Sequence, residues 1–540
     1  MSYRVDLPPT LRTWLDSWGH LLRKDLDEVL KLEAPSFLPS WEGLLPSIPH
    51  SATSSSSRPG SAFPLRVGTD CSGVESPVHS LQAMGVPFQH LFSCESAWAP
   101  RQMILANTPP DVALLEDVTR TDDEVPSIDL YISGFSCKPF SMLHGGTKLL
   151  QEPEANIFFA VLNRIQQLQP PAFVLENVQG ISRCMSEVLS LLQKAGYIVA
   201  VESLNPVELG EPVNRPRYYF VGVRADVALL GQDEAQDMYR RVWSNLKQKR
   251  SSHARRTSCT SSTAGLAPLF NRILPGDHDL VLAHKATCLE KWQHAQKQGF
   301  PDKSTRTKWQ QAHADWAAGR EFKLAEGNPQ LAQLTPDRLL LHLPRERDGW
   351  WKLIRTTTDP AKVVADISQS LGRMPCRTDG ALPTITPGGH IVLAGAARCL
   401  IPAEKLLLHC LPLHRMVIPE GVSDSDLECM GGNMMHLQTV GLAMLLALSL
   451  VDWHNPAARA APAKPAAIAV SAEAAMGVAQ RKPKAATKWE KKLEMQLKAR
   501  FGMLPVSKKV GKRSKLKKFN ALLARMPEHK ACLCGTRWAC

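Results

Sequence analysis

A cysteine sits where the strand-like run "IDLYISGF" gives way to "SCKPFS", at residue 137. Cys137 is either a nucleophile or a small apolar residue closing a buried strand, since cysteine is among the residue types most often buried. Its neighbours decide which. A thiol reacts as the thiolate, which nearby cations stabilise, and a carboxyl group in the same pocket can pass a proton. Later strand-like runs supply both types: Glu176 in "PAFVLENV", and Arg215 and Arg217 in "NRPRYYFVGVR".

A second set of residues precedes Cys137. "LRVGTD" runs into "CSGVES", a tight glycine turn opening a helix, whose backbone amides can face a ligand. "FQHLFSCES" ends in Glu95, an acid placed to accept from the two hydroxyls of a ribose. "LLEDVTR" puts Asp117 one strand further along, where a carboxylate can accept from the exocyclic amine of a base. Each residue also has a plain structural reading. Glu95 fits a helix N-cap, Asn177 fits turn chemistry, and the arginines fit surface charges. Their shared order, each at the carboxyl end of a strand, sets the pattern apart.

The elements that must position these groups alternate from Leu65 to Ala225. Strand-like "LRVGTD", "FQHLFSC", "IDLYIS", "PAFVLENV", "YIVAVESL" and "RYYFVGVR" are interleaved with helical "VHSLQAMG", "APRQMILANT", "NIFFAVLNRIQQL" and "CMSEVLSLLQKAG". This alternation predicts an α/β fold with a doubly wound, mostly parallel sheet. Ligands of such sheets bind at the carboxyl ends of the strands. Adjacent strands lie under about 5 Å apart, so Cys137 and Glu176 are expected to share one pocket.

Outside 65–225 the texture changes. Residues 1–48 alternate Leu, Trp and charge and predict an N-terminal helical segment, followed by a Ser/Pro linker over 49–64. The alternation fails over 226–430, read as a second domain or large insertion; its first part, 226–365, is polar and aperiodic. Residues 431–454 form a glycine turn and a long apolar helix. The tail, 455–540, holds 20 Lys and Arg against 4 Asp and Glu and so carries +16, while the whole chain carries +13. The basicity is therefore concentrated in the tail, which fits contact with nucleic acid or a nuclear import receptor. Thirteen irregularly spaced cysteines suggest reduced thiols and an intracellular address. Cys532, Cys534 and Cys540 lack a fourth ligand at finger spacing, and no metal is expected. No uncharged run of about 18 apolar residues occurs, so no membrane span or membrane partner is expected. No signal peptide is expected either.

In order, "TDCSGVE", "SCES", "EDVTR", "GFSCKPFS", "VLENVQGI", "NRPRYYFVGVR" and "GGNMMHL" resemble the motifs of the DNA (cytosine-5) methyltransferase family. The resemblance implies a class I methyltransferase fold, with a smaller target-recognition domain inserted at 226–430 and a returning helix at 431–454. It implies S-adenosylmethionine as methyl donor, held by Cys71, Ser72, Gly73, Val74, Glu95, Ser96, Asp117, Val118 and Asn433. It gives Cys137 the role of nucleophile at carbon 6 of cytosine and Glu176 the contact to ring nitrogen 3. Glu176 must carry a proton when it donates. Arg215 and Arg217 would hold the base and a nearby phosphate and favour the thiolate. The target base would have to leave the duplex. DNA is the implied partner, with RNA kept open through the tRNA-methylating branch of the family, and the nucleus the implied location. A nucleic-acid-binding relative with a degenerate pocket is the alternative from another class.

Several positions depart from the family pattern. Ser136 and Lys138 stand where most members have Pro and Gln around the cysteine, and Val213 replaces a Gln before the arginines. Cys71 replaces an aromatic residue, and Glu75 and Ser76 replace two glycines. Loss of the proline predicts a less ordered Cys137 loop, and Lys138 is expected to favour the thiolate.

Overall fold

A computed structural model describes residues 2–33, 64–120, 123–141, 149–257, 267–298, 334–357, 359–369 and 374–458. The linker expected at 49–64, save its last residue, lies outside the described residues. So does the basic tail from 459 onward, with its three terminal cysteines.

The strands are β1 (Leu65–Asp70), β2 (Phe88–Cys94), β3 (Ala113–Leu115), β4 (Leu130–Ser133), β5 (Ala172–Val178), β6 (Tyr197–Leu204) and β7 (Arg217–Arg224). They form one sheet in the order β3-β2-β1-β4-β5-β7-β6. The first five pair in parallel, while β7 runs antiparallel between β5 and β6. The chain starts at the centre, winds outward through β2 and β3, then returns to β4 on the other side of β1. The topological switch therefore falls between β1 and β4, and the crevice at their carboxyl ends is the expected ligand position. Asp70 and Ser133 are register partners there.

Both faces of the sheet are covered. Along β5, Ala172 and Val174 enter one core, while Phe173 and Leu175 enter the other, as the two-residue period of a strand requires. The second core also takes Phe158, Val161, Leu162 and Ile165 from α4 (Asn156–Leu168) and Val188 and Leu192 from α5 (Met185–Lys194). The first core is closed by α1 (Pro9–Glu33), α2 (Ser76–Ala83) and, last in sequence, the fully buried α11 (Leu437–Ser449). Between α2 and α4 lies α3 (Trp98–Asn107), which adds Ala99 and Met103 to the first core.

The N-terminal helix is part of this body. Leu11, Trp14, Leu15, Trp18, Leu22, Leu26, Val29 and Leu30 recur at three- and four-residue steps and are all buried, the stripe of a helix laid on a core. Leu22 is 0 % exposed. Leu22→Ala should therefore lower unfolding stability by about 2–5 kcal/mol, read from a shifted denaturant midpoint; a change within about 0.5 kcal/mol would show that α1 does not hold the sheet.

The expected insertion boundary at 226 moves. Helix α6 (Gln232–Thr257) packs on β6, an edge strand of the sheet. Gln232 accepts from Val199 N at 2.9 Å and donates to Val199 O at 2.7 Å; Gln236 repeats this at Val201, at 2.9 and 3.0 Å. Two amides one helical turn apart thus satisfy the free edge, which would otherwise invite pairing. The far boundary at 430 moves too, because Leu406, Leu407, Leu411, Leu413 and Met416 belong to the core under α11. Between these limits lie α7 (Asp279–Gln298), α8 (Pro344–Thr356) and a small antiparallel sheet. Its strands are β8 (Val364–Asp366), β9 (Cys376–Arg377), β10 (Ile391–Leu393) and β11 (Arg398–Cys399), in the order β11-β10-β8-β9. The chain then passes through α9 (Pro402–Leu407) and α10 (Asp424–Asn433).

Candidate active site

The described part of the loop after β4, residues 134–141, carries Cys137 and is held at several points. Phe140 N and Ser141 N donate to Cys137 O at 3.0 and 2.9 Å, closing a turn on the cysteine. Asn177 Nδ2 donates to Phe135 O at 3.0 Å, and Arg183 donates to Phe140 O at 3.0 Å. Gly180 lies against the same carbonyl: a Cβ there would stand 1.9 Å from Phe140 O, so only glycine fits. Phe135 and Phe140 pack edge to face with centroids 6.0 Å apart, and both are buried. The expected loosening at Ser136 is therefore not found among the described residues. Asn177 and Arg183, both distant in sequence from Ser136, and the Phe135–Phe140 pair that flanks it hold these residues.

Glu176 stands near the carboxyl end of β5 beside this loop and is 7 % exposed. Strand β7 then explains the arginines. Because β7 is antiparallel to β5, its first residue, Arg217, pairs with Val178 at the carboxyl edge of β5. Arg217 Nε lies 3.1 Å from Glu176 Oε1, an ion pair whose angle leaves that buried oxygen without a hydrogen bond. Arg215 is 3 % exposed. It donates to Ile385 O and Gly432 O at 3.2 and 3.1 Å, and its Nε has no partner. The guanidinium thus braces three chain segments together. Burial, and then the Arg217 charge, lower its pKa to about 9.

Charge at Cys137 is a balance. Burial, then the Glu176 carboxylate, push the thiol above its ordinary value, while Arg217 and Arg215 pull it down. Lys138, expected to be the helpful cation, is exposed and not among the groups acting on the thiol. Adjacency along the chain is not adjacency of side chains. Alkylation of Cys137 by iodoacetamide should accordingly have its midpoint above that of a free thiol. The midpoint should move to lower pH in Glu176→Gln and to higher pH in Arg217→Gln, and stay put in Lys138→Gln. Peptide mass spectrometry across a pH series reads all three.

The turn after β1 has a different character. Gly73 is left-handed (φ +55), and a Cβ there would meet nothing within 4 Å, so the turn opens onto space. Gly73 N donates to Glu95 Oε2 at 2.9 Å, and Ala97 N to Glu95 Oε1 at 2.8 Å. Glu95 thus serves the turn and the entry to α3 at once, and remains half-buried; Ser96 beside it is exposed. Ser72 is structural: its hydroxyl lies 2.7 Å from Thr69 Oγ1 and accepts from Cys94 N at 3.0 Å. Val74 and Val118 are core residues, 2 % and 8 % exposed. Burial, then Asp70, raise the Cys71 thiol. Asp117 Oδ1 is closed by Thr119 N and Oγ1 at 2.9 and 2.7 Å, which holds its carboxyl below the usual range. Asn433 is exposed and donates to Cys429 Sγ at 3.4 Å. Met435, two residues on, reaches Gly134 at the start of the Cys137 loop.

Sequence reasoning left several contributors unassigned. Asp70, fully buried at the end of β1, accepts from Tyr131 Oη at 2.6 Å and Arg164 Nε at 3.3 Å. Asn205 holds Arg215 N at 2.9 Å and Asn214 at 2.9 Å, and Thr384 donates to Asn214 O at 2.7 Å. Val213 is fully buried and bridges to Leu382, so the apolar residue in the usual Gln position serves a core. The departure at 213 was visible in sequence; its packing partner was not.

This sheet order, with one reversed strand and a reactive constellation at the switch point, defines a class I methyltransferase fold. Residues 71–320 match the family model of the C-5 cytosine-specific DNA methylases. Among curated relatives, the type II methyltransferase M.NlaX of Neisseria lactamica is 37% identical over 112 residues, 20% of this chain and 36% of that protein. M.NgoBV of Neisseria gonorrhoeae is 30% identical over 146 residues, 24% of this chain and 34% of that protein. The DNA (cytosine-5-)-methyltransferase DMT5 of Cryptococcus neoformans is 25% identical over 462 residues, covering 76% of this chain but 18% of that protein. The chain thus spans about a third of the length of the bacterial relatives and less of the fungal one. Over residues 71–320, somewhat less than half of its length, the chain is similar to the C-5 cytosine-specific DNA methylases.

Proposed function

We propose that the chain transfers a methyl group to carbon 5 of cytosine in DNA through a covalent adduct at Cys137. The observation that carries this is the setting of the Cys137 thiol: the Glu176 carboxylate and the Arg217 and Arg215 guanidiniums act on it, and the buried Glu176 Oε1 and Arg215 Nε make no hydrogen bond. Buried polar atoms left without partners are costly, so a pocket that keeps them is built for a polar ligand. Cytosine offers matching groups. Cys137 adds to carbon 6 as the thiolate. Glu176 donates a proton to ring nitrogen 3, so as the C–S bond forms the carbon 5–carbon 6 double bond breaks, its electrons shift into an enamine, and carbon 5 becomes nucleophilic. Arg217 orients Glu176, and Arg215 holds the pocket wall in place. After transfer, loss of the carbon 5 proton and the Cys137 thiolate restores the ring. The base reaches such a pocket only out of the duplex.

The turn at 71–75 fits S-adenosylmethionine as methyl donor, since Gly73 opens onto space beside the half-buried carboxylate of Glu95. Gly73 and Glu95 would hold it, with Ser96, Asp117 and Asn433 as further polar contacts; Ser72, Val74 and Val118 would act only through backbone position. When bound it supplies an electrophilic methyl group. The test is to incubate the chain with S-adenosylmethionine labelled in the methyl group and with DNA or RNA in separate reactions, then to locate the label in digested nucleosides. Label in 5-methyldeoxycytidine supports the reading. Label only in RNA moves the substrate, and binding without label in either supports a degenerate pocket.

The tail is a separate proposal. With 20 Lys and Arg against 4 acids over 455–540, it is suited to phosphate contacts, whose affinity falls steeply with salt. Deleting 459–540 should flatten the salt dependence of DNA binding and leave turnover at saturating DNA little changed. An unchanged slope, read by fluorescence anisotropy, would remove DNA as the tail's partner.

A further inference from the structure

The turn after β1 carries a buried acid, Glu75, at one of the two positions where the family pattern has glycine. Glu75 is the N-cap of α2, with φ 60 and ψ 41. That is the left-handed region, which glycine enters freely and a side chain enters under strain. The side chain does not escape to water either, since Glu75 is 1 % exposed. Strain and burial both cost stability, so the contacts of the carboxylate must offset them.

Those contacts form a directed chain. Thr69 Oγ1 donates to Glu75 Oε1 at 2.7 Å. With its one proton committed there, the Thr69 hydroxyl accepts from Ser72 Oγ, 2.7 Å away. Ser72 Oγ accepts in turn from Cys94 N at 3.0 Å. Every bond points the same way, from the end of β2 through the turn and β1 to the carboxylate. Hydrogen bonds in such a chain reinforce one another, and those ending on a charged acceptor are the stronger kind. Beside it, Ser72 N donates to Cys94 O at 3.1 Å and Glu75 N to Ser72 O at 2.9 Å. His90 Nε2 lies 3.8 Å from Glu75 Oε1. Glu75 Oε2 has no hydrogen-bond partner among the described residues, so the hydrogen-bonded tether runs through Oε1 alone. Gly73, whose N reaches Glu95, sits between the two tethered residues Ser72 and Glu75.

We propose that Glu75 is a positioning residue for the methyl donor: its carboxylate clamps residues 71–75 so that Gly73 and Glu95 keep the arrangement a bound donor needs. This rests on the reading of that turn as the S-adenosylmethionine site. Glycine at 75 would suit the backbone better and would also cut the chain of bonds. The two effects oppose each other, so the affinity of a glycine variant decides which one governs the turn.

The test titrates S-adenosylmethionine calorimetrically into full-length variants and measures its KM and the turnover with DNA. Glu75→Gly should raise Kd and KM about tenfold and change turnover at saturating methyl donor by less than about twofold. Glu75→Gln keeps an oxygen for Thr69 and should recover most of the lost affinity. Thr69→Val leaves the backbone alone, should weaken binding by a similar factor, and should add little to Glu75→Gly. Binding by Glu75→Gly as tight as wild type or tighter overturns the proposal, as does a glutamine variant as weak as the glycine one, or a double variant whose losses multiply. Should Glu75→Gly not fold, Thr69→Val against Thr69→Ser decides, since serine keeps the hydroxyl: equal binding by the two overturns the clamp. Glu95→Ala separates this proposal from the reading beneath it. If Glu95→Ala leaves binding intact, the turn is not the methyl-donor site and both fall; if it weakens binding while Glu75→Gly does not, the proposal alone falls.

Discussion

Cys137→Ala should abolish methyl transfer, by about 10⁴-fold or more, and leave binding of S-adenosylmethionine within about twofold. The two halves of this expectation come from different strands. Cys137 follows β4, whereas the open turn and its carboxylate, Gly73 and Glu95, follow β1 and β2. Alanine is smaller than cysteine and leaves Phe135 and Phe140 in place, so the loop held by Asn177 and Arg183 should keep its path. Without sulfur, no adduct forms at carbon 6, and carbon 5 stays a poor nucleophile. A variant that methylates at the wild-type rate would mean that Cys137 is only a buried residue at a strand end. Methyl transfer from a labelled donor and isothermal titration of the donor separate the two halves.

Glu176→Gln should have the next largest effect, a loss of about 10²–10³-fold in turnover. The amide keeps the shape and can still donate a hydrogen bond, but it cannot give up a proton to ring nitrogen 3. It also removes the charge facing Arg217, 3.1 Å away. Two consequences run in opposite directions. The Cys137 thiolate becomes easier to form, because the carboxylate was one of the groups opposing it; the adduct it should form becomes harder to reach. A Gln variant that alkylates faster and methylates slower would show both roles in one protein. Faster alkylation with unchanged methylation would leave Glu176 as a charge neighbour and nothing more.

The order of the strand ends was legible in the sequence because parallel strands with helical returns leave their marks locally, and Cys137 and Glu176 could be placed together from strand spacing alone. The reversal of β7 left no such mark. A strand reads alike in either direction, yet this reversal is what brings Arg217, at the strand's beginning, to the edge where β5 ends. Helix α6 was missed for a related reason. Part of its contact with β6 is made by glutamine amides, and a search for apolar periodicity passes over a polar clasp. Arg215 and Arg217, expected from the resemblance to favour the thiolate, are the cations that pull the Cys137 thiol down, whereas Lys138, added as a helper because it is adjacent in sequence, is exposed. Ser72, Val74 and Val118 were grouped with the cofactor by motif; the fold gives their side chains to hydrogen bonds and core.

The most direct test of the central claim is to trap the adduct. Duplex DNA is made by polymerase extension with 5-fluorocytosine in place of every cytosine, which removes the need to know the target sequence. After methyl transfer, the fluorine at carbon 5 cannot leave as a proton does, so elimination stalls and the enzyme stays attached. The chain is incubated with this DNA with and without S-adenosylmethionine, denatured, digested and examined by mass spectrometry. The account predicts a denaturation-resistant complex that depends on the methyl donor, joined through the peptide containing Cys137 and carrying a methylated fluorocytosine. Methylated DNA with no complex, or a complex joined through any other residue, would contradict it.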